Sequence, residues 1–110
     1  MATGLLGKVA LAATTNTAVY TVTAGKSATA NIRVINRDLI NSVTLRLAMC
    51  PPGYTAPAAP ANADYIEPID LVLPAGGVLE ESAMAMSAGE VVVAYASAAT
   101  VTVRVYGFES

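Results

Sequence analysis

Residues 19–36, VYTVTAGKSATANIRVIN, decide how the rest of the chain is read. Two runs rich in β-branched residues flank TAGK (23–26), where Gly stands third in a four-residue turn, the place at which a type II turn needs a positive φ. In the second run Ala28, Ala30, Ile32 and Val34 alternate with Thr29, Asn31, Arg33 and Ile35, the period of a half-buried strand. The stretch therefore reads as a strand, a tight reversal and a neighbouring antiparallel strand.

Outward from it the same two features repeat. PAGG (74–77) and SAGE (87–90) again place Gly third and are again followed by a strand, so all three turns are expected to join adjacent antiparallel strands. Val43, Leu45, Leu47 and Met49 form one face of 42–49, with Thr44, Arg46 and Ala48 opposite. Val101, Val103 and Val105 likewise alternate with Thr102, Arg104 and Tyr106. Further strands are expected at 5–12, 17–22, 69–73, 78–86 and 90–96. Together they predict an all-β chain, an antiparallel two-sheet β-sandwich or jelly roll of about eight strands. One domain spans 1–110, with an N-terminal arm within residues 1–12 and a proline-rich loop at 50–65, CPPGYTAPAAPANADY. That loop holds four of the six prolines and cannot be a paired central strand. A loop of this length is functional or mobile as a rule, and only 61–66 suits a single turn of helix.

Composition restricts the function classes. Apolar residues make up 55% of the chain but charged ones only 13%, against roughly 25% in ordinary soluble domains; a surface so neutral suits burial against copies or a partner. A net charge of −2 argues against nucleic acid as partner, because phosphate contacts need a dense basic patch. No apolar run reaches the roughly 18 residues of a membrane span, so no membrane partner is expected. MATGLLGKVALAA has one Lys and an Ala-rich end but lacks a continuous apolar stretch, so no secretory leader is expected. A single cysteine, Cys50, reads as a small buried hydrophobe made in a reducing compartment.

Chemistry is scarce. The absence of His removes the commonest general base and the commonest metal ligand together, and no phosphate-cradling glycine loop is present. No enzyme activity, cofactor or metal is expected. Asp64, Glu67 and Asp70 are the one carboxylate group that could be imagined around a calcium ion or in a carboxylate-only hydrolase, or else form a solvated acidic edge. Glu80 and Glu81 are adjacent and must point to opposite faces. Arg33, Arg46 and Arg104 each take the outer side of a strand, where they could form one row of cations; they would serve either cross-strand pairing with Glu80 or Glu90, or an acidic protein surface. Tyr54 on the proline loop is the candidate interface anchor, and Leu5 and Leu6 those of the N-terminal arm, whose reaching part is 1–6.

TAVYTVTAGKSATANIRVINRD (17–38), ADYIEPIDLVLPAGGVLEE (63–81), SAGEVVVAYAS (87–97) and ATVTVRVYGFE (99–109), taken in this order, resemble small virion structural proteins of tailed bacteriophages. The resemblance covers the chain except its first dozen residues, and it lies in pattern, with no catalytic signature and no defined contact motif. It implies a β-sandwich or jelly-roll protein made in the host cytoplasm and carried on the capsid surface. Such a decoration or cement protein is expected to be a homotrimer that binds the major capsid protein and stabilises the assembled head. The alternatives are a tail- or fibre-associated adaptor or receptor-binding protein, and a secreted carbohydrate-binding or adhesin-like sandwich.

Overall fold

A computed structural model describes residues 2–110. Eight strands run in the order β1 (Ala2–Ala10), β2 (Thr17–Thr21), β3 (Ala28–Asn36), β4 (Val43–Cys50), β5 (Leu71–Leu73), β6 (Val78–Met86), β7 (Val91–Ala96) and β8 (Val101–Glu109), with one 3₁₀ turn at Asn62–Asp64. They form two four-stranded sheets, A with order β1-β8-β3-β6 and B with order β2-β7-β4-β5, and every pair is antiparallel. First strand pairs with last, second with seventh, third with sixth and fourth with fifth. The chain is thus one long hairpin, closed between β4 and β5 and rolled so that its other successive strands alternate between two layers, which is the jelly roll.

This topology corrects the reading of the three glycine turns. Their local chemistry is as expected: Gly25, Gly76 and Gly89 have φ of 77°, 66° and 83°, and each turn closes with an amide bond to the residue three back. Their partners are not. TAGK leads from sheet B to sheet A, PAGG from B to A, and SAGE from A to B, so none joins hydrogen-bonded neighbours. A turn fixes reversal of direction, whereas the layer in which the next strand lands is fixed by where its apolar face can be buried. Among the described residues the sole sequential strands that pair are β4 and β5, on either side of the long loop.

The core lies between the sheets and holds the alternating sets read from sequence: Ala30, Ile32 and Val34 of β3, Leu45 and Leu47 of β4, and Val101, Val103 and Val105 of β8 are all completely buried. At one end of the sandwich the Glu109 carboxylate accepts bonds from Tyr20 Oη at 2.5 Å and from Thr23 N and Oγ1 at 3.1 and 2.9 Å, clasping β8 to the chain leaving β2. Burial and this bond push the Tyr20 phenol far above its usual range; the same bond, with those from Thr23, pulls the Glu109 carboxyl down.

At the other end Asn36, 1% exposed, donates to the carbonyls of Asn41, Leu73 and Pro74 and accepts from Asp38 N and Thr100 Oγ1. A buried amide satisfied on both sides ties three loops together. The exposed edge strand β6 is guarded. Glu81 lies opposite Ile32, on the inward side, and a bulge holds Ala83 at φ 56° while its amide donates to Asn31 Oδ1 at 2.9 Å. An inward charge and a bulge both discourage pairing with another strand.

The N-terminal arm is also corrected. Residues 2–10 form β1, hydrogen-bonded along β8, because Leu6 and Val9 find apolar surface on the core; Met1 lies outside the described residues.

Candidate interaction surface

The two outer faces differ. On sheet B the outward residues Ala48, Cys50, Val91 and Val93 are at most 3% exposed, because the segment after β4 folds back over them and lays Tyr54 and Tyr65 on top. Tyr54 Oη donates to the Ala58 carbonyl at 2.6 Å, Ile66 N donates to the Leu47 carbonyl at 3.0 Å, and Tyr65 bridges Ala48. The proline loop is therefore a lid with its own small core. Tyr54, expected as an exposed anchor, is half-buried beneath it. Burial is also the main cause that raises the Tyr54 phenol and the Cys50 thiol above their usual ranges. The sequence did carry a signal for this: VVVAYA in β7 is an unbroken apolar run, the mark of a strand buried on both faces.

Sheet A has no such cover among the described residues. Its outward side is a grid of cross-strand rows, the third of which is Lys8, Arg104, Arg33 and Glu80 in successive strands β1, β8, β3 and β6. Arg33 donates to Glu80 Oε1 at 3.2 Å and Tyr106 Oη donates to the same oxygen at 2.9 Å. These bonds, that from Tyr106 first, hold the Glu80 carboxyl below the ordinary carboxylate range, and the bond to Glu80 is the main cause that raises the Tyr106 phenol. Arg104, between Lys8 and Arg33, is in no ion pair among the described residues. In the next row Leu5 lies opposite Tyr106, and in the one after it Thr3 lies opposite Phe108, with Leu5 44% and Phe108 58% exposed. Leu6, expected beside Leu5 as a contact, turns inward at the bulge before Gly7 and packs on the core.

The single row of Arg33, Arg46 and Arg104 does not form. Arg46 belongs to sheet B, where it stacks 4.5 Å from the Tyr95 ring centre and forks onto Asp70, Nε to Oδ1 at 2.8 Å and an Nη to Oδ2 at 3.3 Å. That fork lowers the Asp70 carboxyl and raises the Arg46 guanidinium. Lys8 takes the third place in the row of sheet A. Of the two acids expected across from arginines, Glu80 pairs as read, whereas Glu90 caps its own turn by accepting Ser87 N at 2.6 Å. Asp64, Glu67 and Asp70 are not gathered into a site: no group of three metal-ligating side chains is found among the described residues. Among them, too, no pocket opens and no helix is long and apolar enough to cross a membrane.

The sequence reading missed the 37–42 loop. Asp38 accepts from Ile40 N, Asn41 N and Asn41 Nδ2 at 2.8, 3.1 and 3.2 Å, bonds that lower its carboxyl, while its carbonyl accepts from Gly76 N at 2.8 Å. Arg37 donates from its guanidinium to the Ala99 carbonyl at 3.1 Å. The loop so held presents Leu39 and Ile40 to solvent, 82% and 87% exposed. RDLIN could have been noticed as two large aliphatics inside an Asx-turn sequence, where polar residues are the rule. Comparison with protein-family models, curated proteins and solved structures yields no match, so geometry and sequence pattern carry the functional reading.

Proposed function

We propose that this chain is a non-enzymatic virion structural protein of a tailed bacteriophage. It is a decoration or cement protein, a homotrimer that binds the major capsid protein on the assembled head. Alongside the sequence resemblance, one observation carries this reading: Leu39 and Ile40 stand almost wholly in water on a loop fixed by its own Asp38 turn and by hydrogen bonds to two neighbouring segments, 99–100 and Gly76. An exposed aliphatic pair costs solubility, and a rigid support lowers the entropy lost on docking; both suit a surface made to be covered.

The mechanism is linkage. A unit that binds only assembled shell stabilises it by RT ln(1 + [L]/Kd), and a trimer touching several capsid subunits gains from effective concentration.

The test is co-sedimentation of the purified chain with heads of the phage whose genome carries it, with light scattering to count protomers. The chain is expected to sediment with heads as a trimer. Changing Leu39→Ser and Ile40→Ser together is expected to abolish sedimentation without lowering Tm. A wild-type chain that stays in the supernatant, or that labels only tails, contradicts the assignment.

A further inference from the structure

Lys8, Arg104 and Arg33 face outward side by side on three adjacent strands, and with them stand three of the chain's six cations in one row. Like charges directly opposite across strands repel, so the row costs stability. Glu80 compensates at the Arg33 end alone and is the sole carboxylate on this face among the described residues, since Glu81 turns inward. The row is thus left with excess positive charge on a chain whose net charge is −2. Beside it the same face becomes apolar, at Leu5 and Tyr106 about 7 Å along β8 and at Phe108 about 13 Å along it, at ordinary strand rise.

We propose that the outer face of sheet A docks a protein surface bearing carboxylates opposite Lys8, Arg104 and Arg33 and apolar side chains opposite Leu5, Tyr106 and Phe108. The inference rests on the reading of the chain as a docking protein and names the chemistry of its partner.

Size and charge select this occupant. Four nine-residue strands at ordinary spacing make a face of roughly 30 by 19 Å, about 570 Å², close to the ~600 Å² per partner at the lower end of specific interfaces. A nucleic-acid backbone would meet a short row of cations and leave Leu5 and Phe108 uncovered, on a molecule whose overall charge repels it. A second copy laid face to face would bring two surplus cation rows together with only its own Glu80 to offset them. A surface acidic on one side and apolar on the other satisfies both halves, and arginine grips carboxylates through two parallel bonds.

The experiment is an amide-shift titration of the ¹⁵N-labelled full chain with a soluble glutamate–tyrosine copolymer, with polyglutamate and single-stranded oligothymidine as comparison probes. Perturbed amides are expected on β1, β3 and β8 and not on 51–66. The copolymer is expected to bind more tightly than polyglutamate, and added salt to weaken it. Arg104→Glu should lower affinity by roughly tenfold or more, Arg104→Lys should retain most of it, and Phe108→Ser should weaken the copolymer but not polyglutamate. Arg104→Gln should melt at the wild-type temperature or above it, because the like-charge row is relieved. Perturbation elsewhere, no binding, preference for oligothymidine, or a marked loss of Tm in Arg104→Gln overturns the proposal.

This readout needs no particle. Failure to bind heads removes the decoration assignment and leaves the face assignment standing; head binding undiminished in Arg104→Glu does the reverse.

Discussion

Sheet B carries Ala48, Cys50, Val91 and Val93 on its outward side and closes them under Tyr54 and Tyr65, whereas sheet A carries Lys8, Arg33, Arg104, Leu5 and Phe108 outward with no segment over them among the described residues. The sheets have the same strand number and pairing sense, so the difference comes from a connection and a composition. Between β4 and β5 the chain has residues 51–70 to spend, enough to cross the back of sheet B. The β6–β7 corner, by contrast, is a four-residue turn. The outward residues match: small and apolar where the lid lies, charged or large where it does not. One face finishes the fold, and the other carries the docking surface proposed above.

The same substitution on the two faces should separate them most widely. Ala48→Asp places a carboxylate beneath the lid without a partner and is expected to cost about 3–5 kcal/mol in urea unfolding. Ala85→Asp, in register with Thr29 on the outward side of sheet A, should stay within about 0.5 kcal/mol. Equal losses would mean that the faces are equally closed.

Glycine replacement in the corners sharpens the contrast next. Both Gly25 and Gly89 have positive φ, but a side chain at Gly25 meets open space whereas one at Gly89 meets Pro52 of the lid at 2.8 Å. Gly25→Val should cost about 2 kcal/mol from backbone strain alone, and Gly89→Val about 3 kcal/mol because the lid must also move. Thermal melts compare the two, and a larger loss at Gly25 would detach the lid from that corner.

Acid should act most weakly. Glu80 on the open face and Asp70 beside the lid both have carboxyls lowered by their bonds, to Tyr106 and Arg33 in one case and to Arg46 in the other. A depressed folded-state value gives stability that is present above the unfolded value and lost as pH falls through the folded one, so Tm should begin to fall below about pH 4. Glu80→Gln and Asp70→Asn should each flatten part of that fall. A stability that rises on acidification contradicts both pairs.

How much of this the sequence disclosed follows from what period-two patterns encode. The inward sets of β3, β4 and β8 are legible because burial on one face writes an alternation into the chain, while β7 is legible as a continuous apolar run between turns. Layer assignment is not, since a turn such as TAGK looks the same whether it closes a hairpin or crosses a sandwich. For that reason the pattern places Arg46 beside Arg33, although they lie on opposite sheets, and does not single out Lys8, although it faces Arg104. Long-range register alone brings Lys8 and Arg33 into one row. Tyr54 reads as exposed for a similar reason: proline spacing shows that a segment is not a strand, but not what lies under it.

Thiol reactivity measures the central contrast most directly. Cys50 is the chain's one cysteine and lies under the lid, 1% exposed. A second chain with Cys50→Ser and Thr29→Cys puts a single thiol on the open face. Native-state labelling with a small aromatic disulfide should leave Cys50 slower by at least roughly a hundredfold, reacting only through opening of the lid, while the thiol at position 29 reacts as in a free peptide. Cys50 labelling at the free-peptide rate would show that sheet B is as open as sheet A, and the account of one closed and one docking face would fall.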